Sequence, residues 1–575
     1  MLTRLTIHNF KRFAKVEIEL GNPVVFIGPN DSGKTTALQA LALWDIGLKR
    51  WIEKRSGRVT PEKRPGVTIN RRDLIAVPVP DANLLWRNLH VRDVRTLGGK
   101  PKTKNVRVDI MVEGVSKGRE WTCGLEFDYA NEESFYCRPL RCSDEENPER
   151  MSIPEEASSV RVAFLPPMSG LAANETRLDL GAINVRLGEG RTAEVLRNLC
   201  YLILTGREGA TRWERIKGRI QDLFGVTLNE PEYIAERGEI AMTYRTPRGI
   251  PLDLSSSGRG LQQTLLLLAH LAVNPGSVLL LDEPDAHLEI LRQRQTYQLL
   301  TEASEEQQSQ IIAASHSEVV LNEAADRDVV VAFLGRPHRI DDRGSQLLKS
   351  LKEIGFDQYY QAEQEGWVLY LEGSTDLAVL QAFAERLQHP ACPELQRPFV
   401  HYVLNQPSKA RDHFHGLREA KSDLVGFALF DRIDQRLQDR PELREHMWQR
   451  REIENHLCSA ETLLAYARAC MGSLFEQPCQ AAMAECIEDY VPRAAQRDPL
   501  DRWWVDTKAS DDFLDRLFPA FFKKLNLPNL MAKTDYHKLA RYVPKEQIAP
   551  EVTTILDGIL AVARQAKPAC EDENL

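Results

Sequence analysis

The run Gly28-Pro29-Asn30-Asp31-Ser32-Gly33-Lys34-Thr35 constrains this chain more than any other feature, because it satisfies G-x-x-x-x-G-K-[ST] without a mismatch. Such a loop works only between a buried strand and a helix. Its glycines let successive backbone N–H groups turn toward one phosphate, and the N-terminus of the following helix adds its positive end. Both flanks can be read in the sequence. Pro23-Val24-Val25-Phe26-Ile27 is a buried-strand run, and Ala37, Leu38, Leu41, Leu43 and Trp44 recur at helical spacing. Lys34 then offers a point charge to the β- and γ-phosphates of ATP, and the Thr35 hydroxyl offers a ligand to Mg²⁺. Asn30, Asp31, Ser32, Gly33 and Thr36 complete the expected cradle.

Three later segments extend this reading. Ser277-Val278-Leu279-Leu280-Leu281-Asp282-Glu283-Pro284 carries two adjacent acids on the end of a buried strand. Asp282 suits the Mg²⁺ shell, and Glu283 suits the polarisation of an attacking water. Ile311-Ile312-Ala313-Ala314-Ser315-His316 puts a histidine at another strand end, within reach of a γ-phosphate; capping or packing is its plainer role. Leu254-Ser255-Ser256-Ser257-Gly258-Arg259-Gly260 opens a helix with serines and glycines, a second anion site centred on Ser257 and Gly258. The phosphate loop already holds the nucleotide, so this second site makes sense when presented across a dimer; an ordinary helix cap is the alternative.

The C-terminal third holds another group of strand-end acids. Leu369-Tyr370-Leu371-Glu372-Gly373-Ser374-Thr375-Asp376 and Val425-Gly426-Phe427-Ala428-Leu429-Phe430-Asp431 each end a buried strand in carboxylates. Glu372 and Asp431 can meet at one sheet edge and bind hard divalent cations, as phosphodiester cleavage requires. Glu454 adds an acid, and Lys533 and Lys538 offer cations able to neutralise charge on phosphorus.

At 575 residues the chain is too long for a single core. Between Lys49 and Arg107 sixteen Lys and Arg face five Asp and Glu, a local excess of +11 within a chain of net charge −9. That block suits nucleic-acid phosphates, with a solvated face as the alternative. No window of 18 unbroken apolar residues occurs, so no membrane span and no membrane partner are expected. The ten cysteines include no C-x-x-C pair, which fits a reducing cytoplasm.

The order of phosphate loop, SSSGRG, LLLDEPDAHL and SHS resembles the ABC-type ATPase heads of the SMC/RecF group, as does the opening Ile7-His8-Asn9-Phe10-Lys11-Arg12-Phe13. That resemblance implies a signature role for Gly258 and its flanks, a D-loop role for residues 285–289, a switch-histidine role for His316, and two heads enclosing two ATP molecules. The Glu372–Asp376 and Asp431 segments resemble a Toprim domain, and the Arg-Glu-Ile-Glu-Asn run places Glu454 on a further acid. Together the two parts resemble the overcoming-lysogenisation-defect (OLD) family of ATP-dependent nucleases, relatives of the Gabija defence nuclease. The implied fold class is α/β: an ABC-type P-loop ATPase domain over 1–335 with a helical insertion or dimerisation arm near 185–228, a linker over 336–365, and a Toprim domain with a helical tail over 366–575.

The resemblance implies an ATP-regulated DNA endonuclease that uses Mg²⁺ or Mn²⁺ held by Glu372, Asp376, Asp431, Asp434 and Glu454. It also implies a homodimer or higher oligomer through the heads, and anti-phage defence beside a helicase-like protein or retron RNA/DNA. One departure stands out. The family reads D-x-D at its second motif, whereas Ile433 takes the second acid position and Asp434 follows. Either a bulge presents Asp434 or one metal ligand is weakened. The alternative function is an ATP-driven DNA clamp or sensor whose Toprim module docks partners without cutting.

Overall fold

The computed structural model describes residues 1–55, 66–97, 100–142, 149–325, 327–333, 336–340, 354–438, 440–470, 476–498 and 501–568. Parts of the basic block, and the middle of the expected linker, lie outside these residues. The chain divides into two compact units, Met1–Leu348 and Lys349–Ala569.

In the first unit, strands Val162–Leu165, Val278–Asp282, Gln310–Ser315, Val24–Ile27 and Val329–Ala332 lie side by side in that order, all parallel, with His338–Arg339 antiparallel at one edge. The near-continuous apolar runs of the three inner strands Val278–Asp282, Gln310–Ser315 and Val24–Ile27 are buried, as strands covered on both faces require, while on the edge strand Val162–Leu165 only Leu165 is buried. A second six-stranded sheet is antiparallel, in the order Phe13–Glu19, Leu2–Phe10, Arg107–Ser116, Arg119–Asn131, Ser134–Pro139, Val67–Asn70. Helix Lys34–Arg55 touches both sheets. This explains why Ala37, Leu38, Ala40, Leu41, Leu43 and Trp44 are buried around its circumference rather than along one stripe.

The stretch expected as an insertion or arm forms helices Leu180–Gly188, Leu196–Thr205 and Gly209–Phe224. Leu196, Leu199, Ile203, Trp213, Ile216 and Ile220 are buried, in one core with helix Arg259–Val273. Each such side chain contributes roughly 2 kcal/mol by leaving water, so this part is a packed helical lobe beside the serine–glycine loop.

The second unit is built on a four-stranded, wholly parallel sheet in the order Val400–Tyr402, Trp367–Leu371, Val425–Phe430, Leu443–Met447. Helices Ser374–Leu387 and Pro407–Ala420 make the crossovers, and the helical tail ends in Pro550–Ala563, which packs back on the sheet. Because all strands run one way, their carboxyl ends gather on a single edge, where Glu372, Asn405 and Asp431 follow three of them. Both described ends of the expected linker 336–365 are structured, and the division between the two units falls inside it. His338–Arg339 joins the first sheet, and Phe356–Glu365 is a helix capped by Gly366, with Tyr359 and Ala362 buried.

Candidate functional site

The phosphate loop is shaped by two close approaches. Gly33 has φ +103°, and a Cβ there would lie 2.7 Å from the Phe13 ring; Gly28 leaves only 2.9 Å to the Phe333 carbonyl. The Phe10-Lys11-Arg12-Phe13 opening therefore acts as a brace behind the loop, with Phe10 and Phe13 fully buried. Lys34 donates from Nζ to the carbonyls of Gly28 and Pro29, both at 2.6 Å. Burial lowers the Lys34 pKa, opposed by Glu283, Asp282, Asp285 and Asp31.

The two adjacent acids diverge. Thr35 Oγ1 donates to Asp282 Oδ1 at 3.0 Å, joining the loop to the acid strand. Asp282 is pushed up to about 6, chiefly by burial and against the Thr35 hydrogen bond. Glu283, at φ 49°, turns the other way, and its Oε1 lies 3.7 Å from His316 Nδ1 at the end of the neighbouring strand. Asn30, Asp31 and Thr35 are exposed at the mouth, with Ser32 and Thr36 half-buried.

Ser257 and Gly258 stand apart from this set. Ser257 Oγ donates to the Leu254 carbonyl, and Gly258 caps helix Arg259–Val273. A cavity of about 310 Å³ beside them is lined by Met168 to Leu171, Ser255, Arg259, Gln262 and His287, with no phosphate-loop residue among them. Sequence reasoning missed what pins this loop. Asp253 accepts from the N–H and Oγ of Ser255 and from Arg197 Nη2, and Arg197 is itself 1% exposed in the helical lobe.

In the second unit, Glu372 and Asp431 come together at the carboxyl edge of the sheet. Asn405 Nδ2 donates to Glu372 Oε2 at 2.8 Å and to Asp431 Oδ2 at 3.2 Å. The Asp431 carboxyl is driven well up, first by burial, then by its hydrogen bond to Glu372 and the fields of Glu372, Asp376 and Glu452. Asp376 accepts the backbone N–H groups of Glu372 and Gly373, which caps helix Ser374–Leu387, and is pushed up to about 6 by burial and then by Glu372. Glu454 is pushed up to about 8 by burial, then by Glu452 and Asp376, against the opposing field of Lys533.

Among the expected cations, Lys533 pairs with Asp511 and Lys538 closes a local pair with Asp535 at 2.7 Å. Lys538 is exposed and drops out of the cluster: three residues along the same turn, Asp535 takes its charge. Asp434 is exposed on the turn after Asp431 and makes no hydrogen bond or ion pair among the described residues. Ile433 keeps the acid position apolar. Glu452, Lys508 and Asn405 join the site without a sequence signal of their own. Glu452 is 3% exposed and accepts the Ser510 N–H, while Lys508 pairs with Asp511 in the field of Glu452 and Glu372.

Oxygen donors of this kind suit a hard divalent cation, and several like-charged carboxylates buried together call for positive charge. The fit is one of chemistry and of the Glu372–Asp431 pair. Among the described residues no group of three or more His, Cys, Asp or Glu is already arranged to hold a metal ion.

Two family models match the chain. Residues 1–44 match "AAA ATPase domain", and residues 212–322 match "AAA domain, putative AbiEii toxin, Type IV TA system". No curated protein matches. Among solved structures, the SMC head domain from Thermotoga maritima is 16% identical, covering 59% of this chain and 98% of its own, at a TM-score of 0.31. An Smc head bound to the C-winged helix domain of ScpA is 14% identical, covering 59% and 97%, at 0.34. A Smc head with an extended coiled coil, bound to the C-terminal domain of ScpA derived from Pyrococcus furiosus, is 15% identical, covering 61% and 99%, at 0.34. The matched segments carry the braced loop, the serine–glycine loop, the acid strand and His316, so the first unit holds an ATPase domain of AAA type. No helix among the described residues is long and apolar enough to cross a membrane.

Proposed function

We propose that this chain is an ATP-regulated, metal-dependent DNA endonuclease of the OLD type, its second unit a Toprim domain. The observation that carries the reading is the Glu372–Asp431 pair, delivered by adjacent parallel strands and bridged by Asn405. Glu372, Asp376, Asp431 and Glu454 would hold Mg²⁺ or Mn²⁺, and Thr35 and Asp282 would hold the Mg²⁺ of ATP. Divalent cations in such a site supply Lewis acidity toward a phosphodiester. The chain's own part is positional. Asp376 ties Glu372 to the next helix, and Lys533 with Lys508 brings positive charge to the acids.

In the first unit Glu283 orients water, and His316 beside it reports on the γ-phosphate. The cavity at Ser257 and Gly258 lacks phosphate-loop residues of its own chain, which supports completion by a second copy and so a homodimer of heads resembling the SMC/RecF arrangement. DNA is the proposed substrate, and a defence-system partner belongs to the same reading. Purified chain should nick supercoiled plasmid with Mg²⁺ or Mn²⁺ while Glu372→Ala does not; cleavage surviving in that variant removes the assignment.

A second reading, a non-cutting ATP-driven clamp or sensor, is favoured by Ile433 and the exposed Asp434. It predicts ATP hydrolysis and DNA binding with no strand scission at any metal concentration.

A further inference from the structure

The chain turns sharply where the edge strand Val400–Tyr402 ends. Leu404 and Asn405 both adopt left-handed backbone, at φ 48° and 56°, although neither is glycine. Asparagine tolerates this conformation, whereas two such residues in succession store strain that surrounding contacts must hold. Those contacts converge on one side chain. Asn405 Oδ1 accepts the Asp431 N–H at 2.9 Å, which fixes the orientation of the amide. Nδ2 is thereby directed at carboxylates only, with Glu372 Oε2 and Asp431 Oδ2 as its acceptors. Every donor and acceptor of this amide serves the acid pair.

We infer that Asn405 is a positioning residue of the acid site, a neutral bridge that holds the Glu372 and Asp431 carboxylates side by side for a divalent cation. This rests on the metal-site reading above and adds to it a residue from the turn after the edge strand. An amide suits the task because it donates to two carboxylates without carrying charge, so it sets their spacing yet leaves them electron-rich for a cation. A lysine in its place would neutralise the pair and compete with metal. An aspartate would keep the bond to the Asp431 N–H, lose both donations, and bring a third carboxylate to the cluster.

The test is made on the full chain, with Mn²⁺ alone as probe, by equilibrium titration followed through the Mn²⁺ electron-spin resonance signal and by thermal melting. Asn405→Asp should melt lower than the unsubstituted chain without Mn²⁺, regain most of the loss with it, and bind Mn²⁺ about tenfold tighter. Asn405→Ala, which adds no charge, should bind Mn²⁺ several-fold more weakly. A merely structural asparagine would make Asn405→Ala melt lower by the same amount with and without Mn²⁺ and leave the Mn²⁺ affinity of that variant unchanged, and that result overturns the inference. Glu372→Gln separates the two levels. If it abolishes Mn²⁺ binding while Asn405→Ala binds like the unsubstituted chain, only the role of Asn405 is lost. If Glu372→Gln binds Mn²⁺ as the unsubstituted chain does, the metal-site reading falls and the inference with it.

Discussion

The two sites solve the same electrostatic problem in opposite ways. In the first unit, charge is handled by one contiguous loop: Lys34 hydrogen-bonds the carbonyls of its own loop, and Thr35 engages Asp282. In the second unit, carboxylates from separate strand ends and the segment after the last strand are pressed together, and protons or a neutral amide relieve the repulsion. The anion cradle itself comes from one short stretch of backbone, braced from behind by Phe13 and Phe333. A carboxylate site assembled over long range is electrostatically unsettled by itself and takes its character from what binds it.

Removing the central group of each site should break this comparison most severely, and selectively. Glu372→Gln should reduce metal-dependent nicking to background while ATP hydrolysis, followed by phosphate release, continues. Lys34→Ala should lower ATP hydrolysis by about 10³-fold, the order seen when a charge-stabilising donor is lost. Its Mn²⁺ titration at the acid site should be unchanged. Loss of ATP hydrolysis in Glu372→Gln, or of Mn²⁺ binding in Lys34→Ala, with folding intact, would mean that the sites are not separate.

A pH series sharpens the contrast. Asp376 and Glu454 have folded pKa values raised to about 6 and about 8, above their ordinary range. Their contribution to stability is therefore present below the unfolded carboxylate pKa and is lost as pH rises through about 6 and then about 8. Without divalent metal, the melting temperature should fall across that window. Mn²⁺ should bind more tightly toward its upper end and reverse the fall, since cation and proton compete for the same oxygens. Melting that rises with pH in the absence of metal would contradict the burial argument.

The smallest effects should separate neighbours that the sequence alone leaves equivalent. Lys533→Ala should slow nicking by about tenfold, whereas Lys538→Ala and Asp434→Ala should stay within about twofold, because exposed groups with local or no partners contribute little. Initial-rate nicking assays decide this, and an Asp434→Ala variant as inactive as Glu372→Gln would restore Asp434 to the site.

What the sequence made legible follows from how each part is encoded. The phosphate loop, the acid strand and His316 are short contiguous patterns attached to buried strands, so their positions could be read directly. Glu372 and Asp431 were visible for the same reason: a buried apolar run ending in an acid marks the carboxyl edge of a parallel sheet. Asn405 and Lys508 were not, since neither ends such a run and each matters only through what the fold brings beside it. Arg197 was hidden inside a helix whose apolar spacing drew attention to its neighbours. Helix Phe356–Glu365 passed for linker because it is short and polar, with Tyr359 and Ala362 as its buried anchors. Lys538 and Asp434 are the converse case, in which the right residue type near a motif is exposed.

The central claim is that distant carboxylates of the second unit converge on one cation-binding edge. Crystals of the full chain grown with Mn²⁺, measured at an energy where manganese scatters anomalously, test it most directly. An anomalous peak coordinated by Glu372 and Asp431, with Asn405 alongside, is the predicted result. Ordered side chains of Glu372 and Asp431 pointing apart, with manganese confined to the phosphate-loop site, would contradict it.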